Sequence, residues 1–538
     1  MACHPPAVAT SLPFQQKGRK DKSTVKRKTN SPINEVTRRE FLNIFAAGAA
    51  AAVGTVSLAP LGGIVSAQDS SALRFAWLTP ATFDPRSASG DSEIAVLNAV
   101  YDYLIETDAA SNLVPRLASA WEHSADGLVY TLQIRADATW HDGSPVTVDD
   151  VLWTLQWQID AEGSVANLLS TVEAIEATGD NTIAITLSAP NPDFLYNLTD
   201  NKLVILKAGA ENIGVDFNGS GPFILDEMIP GDRAILRANE TYWGGAPSID
   251  QLEFIYFDDQ QAGVAAVQGG TADGIARLDN ASFLGFAGDA NFHTTDIPTS
   301  GHHLARLRYD RAPGNDARVR QAFKLATDRQ QIWERIQLGF GAVGKDSPIG
   351  PAFGQYFLAE AEVPARDPAA AAALLADAGY PDGLDMVLHG PNSSNFPDLA
   401  QALAAQWEEA GIRVEIQLED ENAYYSGNWD TVDLGITGWG ARAVPQFYLD
   451  FAYHSQGVWN ESHYSNPRVD ELIEIGRSTL DQAARTAAYK EIQQILLDEG
   501  PIIVPYFFAA FMVLGGNVSG VALHPFAGRT NFNMAVIG

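Results

Sequence analysis

Behind Gly127, Leu128, Tyr130, Leu132 and Ile134 alternate with Val129, Thr131, Gln133 and Arg135. That period of two predicts a strand with one buried face. Ile183, Ile185 and Leu187, bounded by Asn181 and Pro190, predict another. Ile412, Val414, Ile416 and Leu418 predict a third, just after Gly411. Helical spacing alternates with these. Asp367-Pro368 opens an Ala-rich run that stops at Gly379, with Asp as N-cap, Pro in the first turn and Gly at the end. Tyr380-Pro381-Asp382-Gly383 then makes a turn. A helix over 399–410 leads through Gly411 into the third strand.

Two longer stretches also carry the helical period. Over 316–337, Val319, Phe323, Ala326, Trp333 and Ile336 form one apolar stripe, which predicts a single long helix. Over 467–497 the pattern is interrupted by Ser478-Thr479-Leu480-Asp481, which predicts two helices. Helices feeding strands in this order are an α/β signature. No short-period repeat appears, which disfavours solenoids and propellers.

Composition narrows the class. The 538 residues carry 66 acidic against 35 basic side chains, a net −31, which argues against a nucleic-acid partner. One Cys excludes a disulfide framework and a four-Cys zinc module. The charge is unevenly placed: residues 1–67 hold nine basic and three acidic residues, leaving a body of net −37. Thr37-Arg38-Arg39-Glu40-Phe41-Leu42 precedes the mildly apolar run 44–65 and the small-residue site Val65-Ser66-Ala67. This reads as a basic n-region, an h-region and a cleavage site. The arginine pair resembles a twin-arginine signal, so the twin-arginine export machinery is an expected partner. A membrane anchor is the alternative, weakened by Gly48, Gly54, Pro60, Gly62 and Gly63. Without a Cys at the cleavage site, no lipid anchor is expected on an exported, periplasmic or extracytoplasmic product.

Several motifs fail for lack of context. Gly339-Phe340-Gly341-Ala342-Val343-Gly344 fits G-x-G-x-x-G, but it follows a helix rather than a strand, so it reads as a helix-terminating loop. His302-His303 and the pair His454 and His463 lack ligand spacing, so no metal is expected. Adjacent histidines on a strand face opposite ways, and one of the first pair is expected to face a cleft. His141-Asp142 has no companion nucleophile motif. No cofactor and no catalytic set is expected.

Other stretches form an ordered series. Tyr130–Arg135 is followed by Trp140-His141-Asp142-Gly143-Ser144-Pro145-Val146-Thr147 and Asp149-Asp150-Val151, read as an edge strand, a tight turn and a Thr147-capped helix. Phe83-Asp84-Pro85, Gly219-Ser220-Gly221-Pro222-Phe223 and Asn239-Glu240-Thr241-Tyr242-Trp243-Gly244-Gly245 lie in order along the chain. So do Val319-Arg320-Gln321-Ala322-Phe323, Asp328-Arg329, Ala378–Gly383, Gly438-Trp439 and Pro467–Leu472. Together, over nearly everything after residue 72, they resemble the family 5 solute-binding proteins of ABC transporters, the peptide, nickel and opine receptor group.

The resemblance implies a type II periplasmic-binding-protein-like clamshell: two α/β domains joined by a hinge, plus an extra inserted lobe. Mapped here, the first domain is 72–115 with 222–300 and 505–538, the inserted lobe 116–221 and the second domain 301–504. The hinge is crossed near 297–304 and 502–508. Peptide binders of the family commonly place an Asp after the Gly-Trp pair to anchor an ammonium. Here that position holds Arg442, whose guanidinium suits a carboxylate or phosphate, or else pairs with a carboxylate such as Asp450. Trp439 and Trp459, with Phe83 and Tyr101 from the first domain, are candidate apolar walls. His302 or His303 is a candidate hydrogen-bond donor. The expected function is capture of a small-molecule ligand by a monomer and its delivery to a membrane-embedded ABC permease. An exported hydrolase with a catalytic set formed across the cleft, or a sensory or chaperone-like binder on the same fold, remains the alternative.

Overall fold

The computed structural model describes residues 72–161 and 164–538; the expected export signal over 1–67 lies outside the described residues. Two long strands organise the rest. Ile502–Gly515 is almost continuously apolar, the pattern of a strand covered on both faces. It pairs antiparallel with Phe292–Leu307, from Phe292 against Gly515 to Arg306 against Ile502. On one side the sheet continues from Ile502–Gly515 through Gly274–Ala276, Ala72–Leu78, Gln251–Phe257 and Arg233–Ala238 to Phe223–Ile229. On the other it continues from Phe292–Leu307 through Leu434–Trp439 and Leu384–Pro391 to Ile412–Glu419.

Each half of that sheet has its own core. Phe75, Trp77, Leu252, Phe254 and Met512 pack in the first. Phe323, Leu388, Leu403, Trp407 and Ile436 pack in the second. In the second half, Leu384–Pro391 and Ile412–Glu419 are parallel neighbours joined by the helix Phe396–Glu408. The helix and the strand after Gly411 are the expected ones, whereas the strand Leu384–Pro391 is not among the expected elements; Leu399, Leu403 and Trp407 lie on the buried stripe of the helix. A third core, around Tyr130, Leu132, Trp140 and Ile185, lies under a separate antiparallel sheet ordered Ala118–His123, Val129–Ile134, Thr182–Leu187, Val172–Gly179. Val129–Ile134 is therefore an inner strand of that sheet, not the expected edge. One wet face gives the same alternation at the centre as at the margin.

Local capping sets several boundaries. Thr147 caps the helix Val148–Ile159 in a reciprocal box with Asp150, whose Oδ2 accepts from the Thr147 amide at 2.8 Å. The 467–497 segment forms the two expected helices, Pro467–Ser478 and Gln482–Glu499, with Asp481 capping the second. The 316–337 segment differs from expectation. It breaks into Ala317–Leu325 and Arg329–Ile336. Asp328 accepts from the Gln331 amide at 2.9 Å, and the buried Thr327 hydroxyl accepts from the Trp407 indole at 2.8 Å. A new N-cap and one long-range bond outweigh continuation of the stripe.

The Gly339–Gly344 run lies against the long strand. A Cβ at Gly341 would stand 2.1 Å from the Phe507 carbonyl, and one at Gly344 would stand 1.9 Å from that of Val504. These glycines serve backbone approach to a neighbouring strand, and Val343 pairs with Tyr506 there.

Candidate ligand-binding site

The pairing of the two long strands is irregular at two places, between Pro298 and His302 and between His303 and Ala305. Pro298 faces Ala509 and His302 faces Phe507, so Thr299, Ser300 and Gly301 stand against Phe508 alone. Such a bulge bends the strand, and it lies within the stretch read as the first hinge crossing. It also holds the loop after Trp439. The Ser300 hydroxyl donates to the Arg442 carbonyl and accepts from the Arg442 amide, both at 2.8 Å. The Tyr448 hydroxyl reaches the Ser300 carbonyl at 3.1 Å and the Gly440 carbonyl at 2.7 Å. Gly301 leaves no room for a side chain: a Cβ would lie 2.9 Å from the Phe508 ring and 3.3 Å from the Ala441 amide.

A cavity of about 850 Å³ opens over this bulge, within the usual range of about 300–1,000 Å³ for small-molecule sites. Its floor includes Thr299, Gly301 and Phe508. One wall is the 440–447 loop with Phe451 and Trp459. The facing walls come from Asp193, 196–197 and 199–202, beside the third core, and from Asp91, Arg277 and Arg529.

Of the seven residues singled out from sequence, Arg442 and Trp459 line the cavity. Trp459 packs against Phe451 at 4.8 Å between centroids and against Phe447 at 6.1 Å. Arg442 lies over the Phe447 ring at 4.3 Å and donates to the Ala441 carbonyl at 3.0 Å. Among the described residues it has no ion-pair partner. Asp450, the alternative partner, is taken by Arg477 at 2.8 Å and by Gln446 at 2.6 Å.

Trp439 stands one layer behind, 6.0 Å from Trp459, with its indole N–H on the buried Glu461 at 3.2 Å. The histidines do face opposite ways, but both point into protein and neither lines the cavity. His302 packs on Tyr448 and Phe507, and His303 stacks on Phe396 at 4.0 Å. Burial lowers their pKa values to about 4 and about 3, so both are neutral at pH 7. Phe83 and Tyr101 are also outside the cavity lining. Phe83 packs on Phe217 against the first core, and the Tyr101 hydroxyl reaches the Asp216 carbonyl at 3.4 Å.

Sequence reasoning missed Phe447 and Phe451, whose i, i+4 spacing just after Arg442 was a usable signal. It also missed Asp193 and Arg277. Arg277 has φ of 62°, rare for a non-glycine residue and often found at functional sites. Its Nε meets Asp91 at 3.1 Å.

A sequence profile of the bacterial extracellular solute-binding proteins, family 5 (middle), matches residues 112–460. The chain belongs to this family. Family 5 receptors bind solutes outside the cytoplasm for ABC importers, and this chain is a solute-binding receptor of that kind. It is similar to heme-binding protein A of Haemophilus influenzae, with 27% identity over 84% of this chain and 89% of the relative. It is similar to the dipeptide-binding protein of Escherichia coli, with 26% identity over 83% and 91%. The solved structure of HbpA2 from Haemophilus parasuis superimposes with a TM-score of 0.78 at 24% identity, over 87% of this chain and all of that one. The fold is the type II clamshell, two α/β domains joined by a hinge with an extra lobe.

The family motifs of this receptor build scaffold. The His141 amide donates to the Gly219 carbonyl at 2.7 Å, and a Cβ at Gly219 would meet the Val100 carbonyl at 1.8 Å. Tyr242 and Trp243 both reach the buried Asp102, the latter at 2.7 Å.

Proposed function

We propose that this receptor captures a small peptide-like solute bearing a carboxylate and releases it to its permease without chemical change. The observation that carries this reading is the Arg442 guanidinium, which faces the cavity, is held by cation–π contact with Phe447, and has no ion-pair partner among the described residues. A guanidinium so placed favours a planar anion held by two parallel hydrogen bonds. The Phe447, Phe451 and Trp459 rings supply the apolar wall beside it. The name of the dipeptide-binding relative agrees with a solute of this size and chemistry.

Around that site we assign the first domain to 72–115, 222–300 and 505–538, the inserted lobe to 116–221 and the second domain to 301–504. The Arg38-Arg39 segment is assigned to twin-arginine export, with cleavage after Ala67 and no lipid anchor. The receptor acts as a monomer, because closure of its own lobes completes the site.

Native mass spectrometry of the purified protein identifies the solute it carries, still intact. Titration calorimetry with that solute then compares wild type with Arg442→Ala. Affinity is expected to fall about tenfold or more, at least about 1.4 kcal/mol. An unchanged affinity overturns the anchoring role of Arg442.

A further inference from the structure

Opposite the Arg442 loop, the cavity wall holds a carboxylate oxygen that the protein itself leaves unsatisfied. Asp193 follows the Asn191-Pro192 turn beyond the strand Thr182–Leu187 and is 4% exposed. Its Oδ2 accepts from Arg485 Nη2 at 2.5 Å, while its Oδ1 is shielded from solvent and has no hydrogen-bond partner. Among the described residues it is the one carboxylate oxygen in that condition. A buried acceptor without a partner costs about 1–3 kcal/mol and calls for an explanation.

Arg485 cannot turn to satisfy it. That guanidinium also donates to the Gly476 carbonyl at 3.0 Å, the Tyr489 hydroxyl at 3.1 Å and the Tyr356 hydroxyl at 3.3 Å. The other two acids at the cavity are engaged: Asp91 by Arg277 and the Gly528 amide, and Asp200 by the Lys202 amide at 3.0 Å. Burial raises the pKa of Asp193, Arg485 opposes that rise and the neighbouring Asp450 adds to it. A positive donor arriving from the cavity would relieve both the repulsion and the missing hydrogen bond.

We propose that Asp193 receives the amino group of the ligand, so that the receptor selects a zwitterionic solute with its ammonium at Asp193 and its carboxylate at Arg442. This rests on the Arg442 reading above. The two anchors belong to different assigned lobes, Asp193 to 116–221, where it also meets Arg485 of the second domain, and Arg442 to the loop held by the hinge bulge. A solute that touches both has a contact available only when the lobes are together, which is the differential affinity that closure requires.

The test is competition by native mass spectrometry, where blocked and free peptides are separated by mass. A pool of tripeptides with free ends competes with the same pool N-acetylated, and separately with the same pool C-amidated. Wild type is expected to prefer the free pool by about tenfold in each competition. Asp193→Asn, which keeps the side-chain shape and a contact to Arg485, is expected to lose the penalty for N-acetylation and keep that for C-amidation. If wild type binds free and N-acetylated pools equally but discriminates against the amide, the Asp193 assignment is overturned and Arg442 stands. If it ignores amidation, the Arg442 reading falls. Failure of all three pools to bind overturns both.

Discussion

Glu461 shows how one buried group near the site sets a pH response. It is buried between Arg306 at 3.4 Å and the Trp439 indole at 3.2 Å, and burial raises its pKa from 4.5 to about 7. A carboxyl whose folded-state pKa exceeds its unfolded value stabilises the fold fully below about pH 4.5. That contribution is lost as pH rises through about 7. At about 1.4 kcal/mol per unit, the term is on the order of 3 kcal/mol. Calorimetric unfolding of Glu461→Gln is expected to show a smaller fall in midpoint between pH 5 and 8 than wild type. Parallel curves for the two proteins would exclude Glu461 as the source.

At the scale of the element, the bulge 299–301 joins the assigned hinge crossing to the loop proposed to hold the ligand, since Ser300 holds both hydrogen-bonding groups of the Arg442 backbone. Gly301→Ala would press a methyl on the Phe508 ring and the Ala441 amide. Overpacking of that kind typically costs about 1–3 kcal/mol. The variant is expected to unfold at a lower temperature and to bind its solute more weakly, because the Arg442 loop must shift. A stability loss with unchanged affinity would separate the bulge from the site. Element boundaries were partly legible. Caps at Thr147 and Asp367 act through their own side chains, so local reading found them. The break at Thr327-Asp328 needed Trp407, 80 residues away, and so escaped.

For the whole molecule, the Asp193–Arg485 pair matters beyond its proposed part in ligand binding. It joins residues 292 apart in sequence, both almost fully buried. Removing one partner of such a pair leaves a buried charge uncompensated, at about 3–5 kcal/mol. Arg485→Met is therefore expected to lower the unfolding midpoint sharply. The double variant Arg485→Met with Asp193→Leu is expected to recover most of the loss, since an apolar pair of similar volume leaves no stranded charge. Equal destabilisation by the single and the double variant would show that the pair's charges are not what holds these elements together.

The sequence by itself determined what depends on near neighbours and on ordered motifs. The α/β alternation, the capped helices, the helix feeding the strand after Gly411 and the family membership are all of that kind. Two of its candidates, Arg442 three residues after Trp439 and Trp459 twenty residues after it, line the cavity. Only the tertiary structure decided which candidates share a cavity. It put His302 and His303 into two cores, left Phe83 and Tyr101 in scaffold, and brought Asp193 and Arg277 to face a loop well over a hundred residues further along. The reason is physical: a side chain's alternation fixes which face of its own strand it takes, whereas the contents of a cleft depend on how separate segments meet.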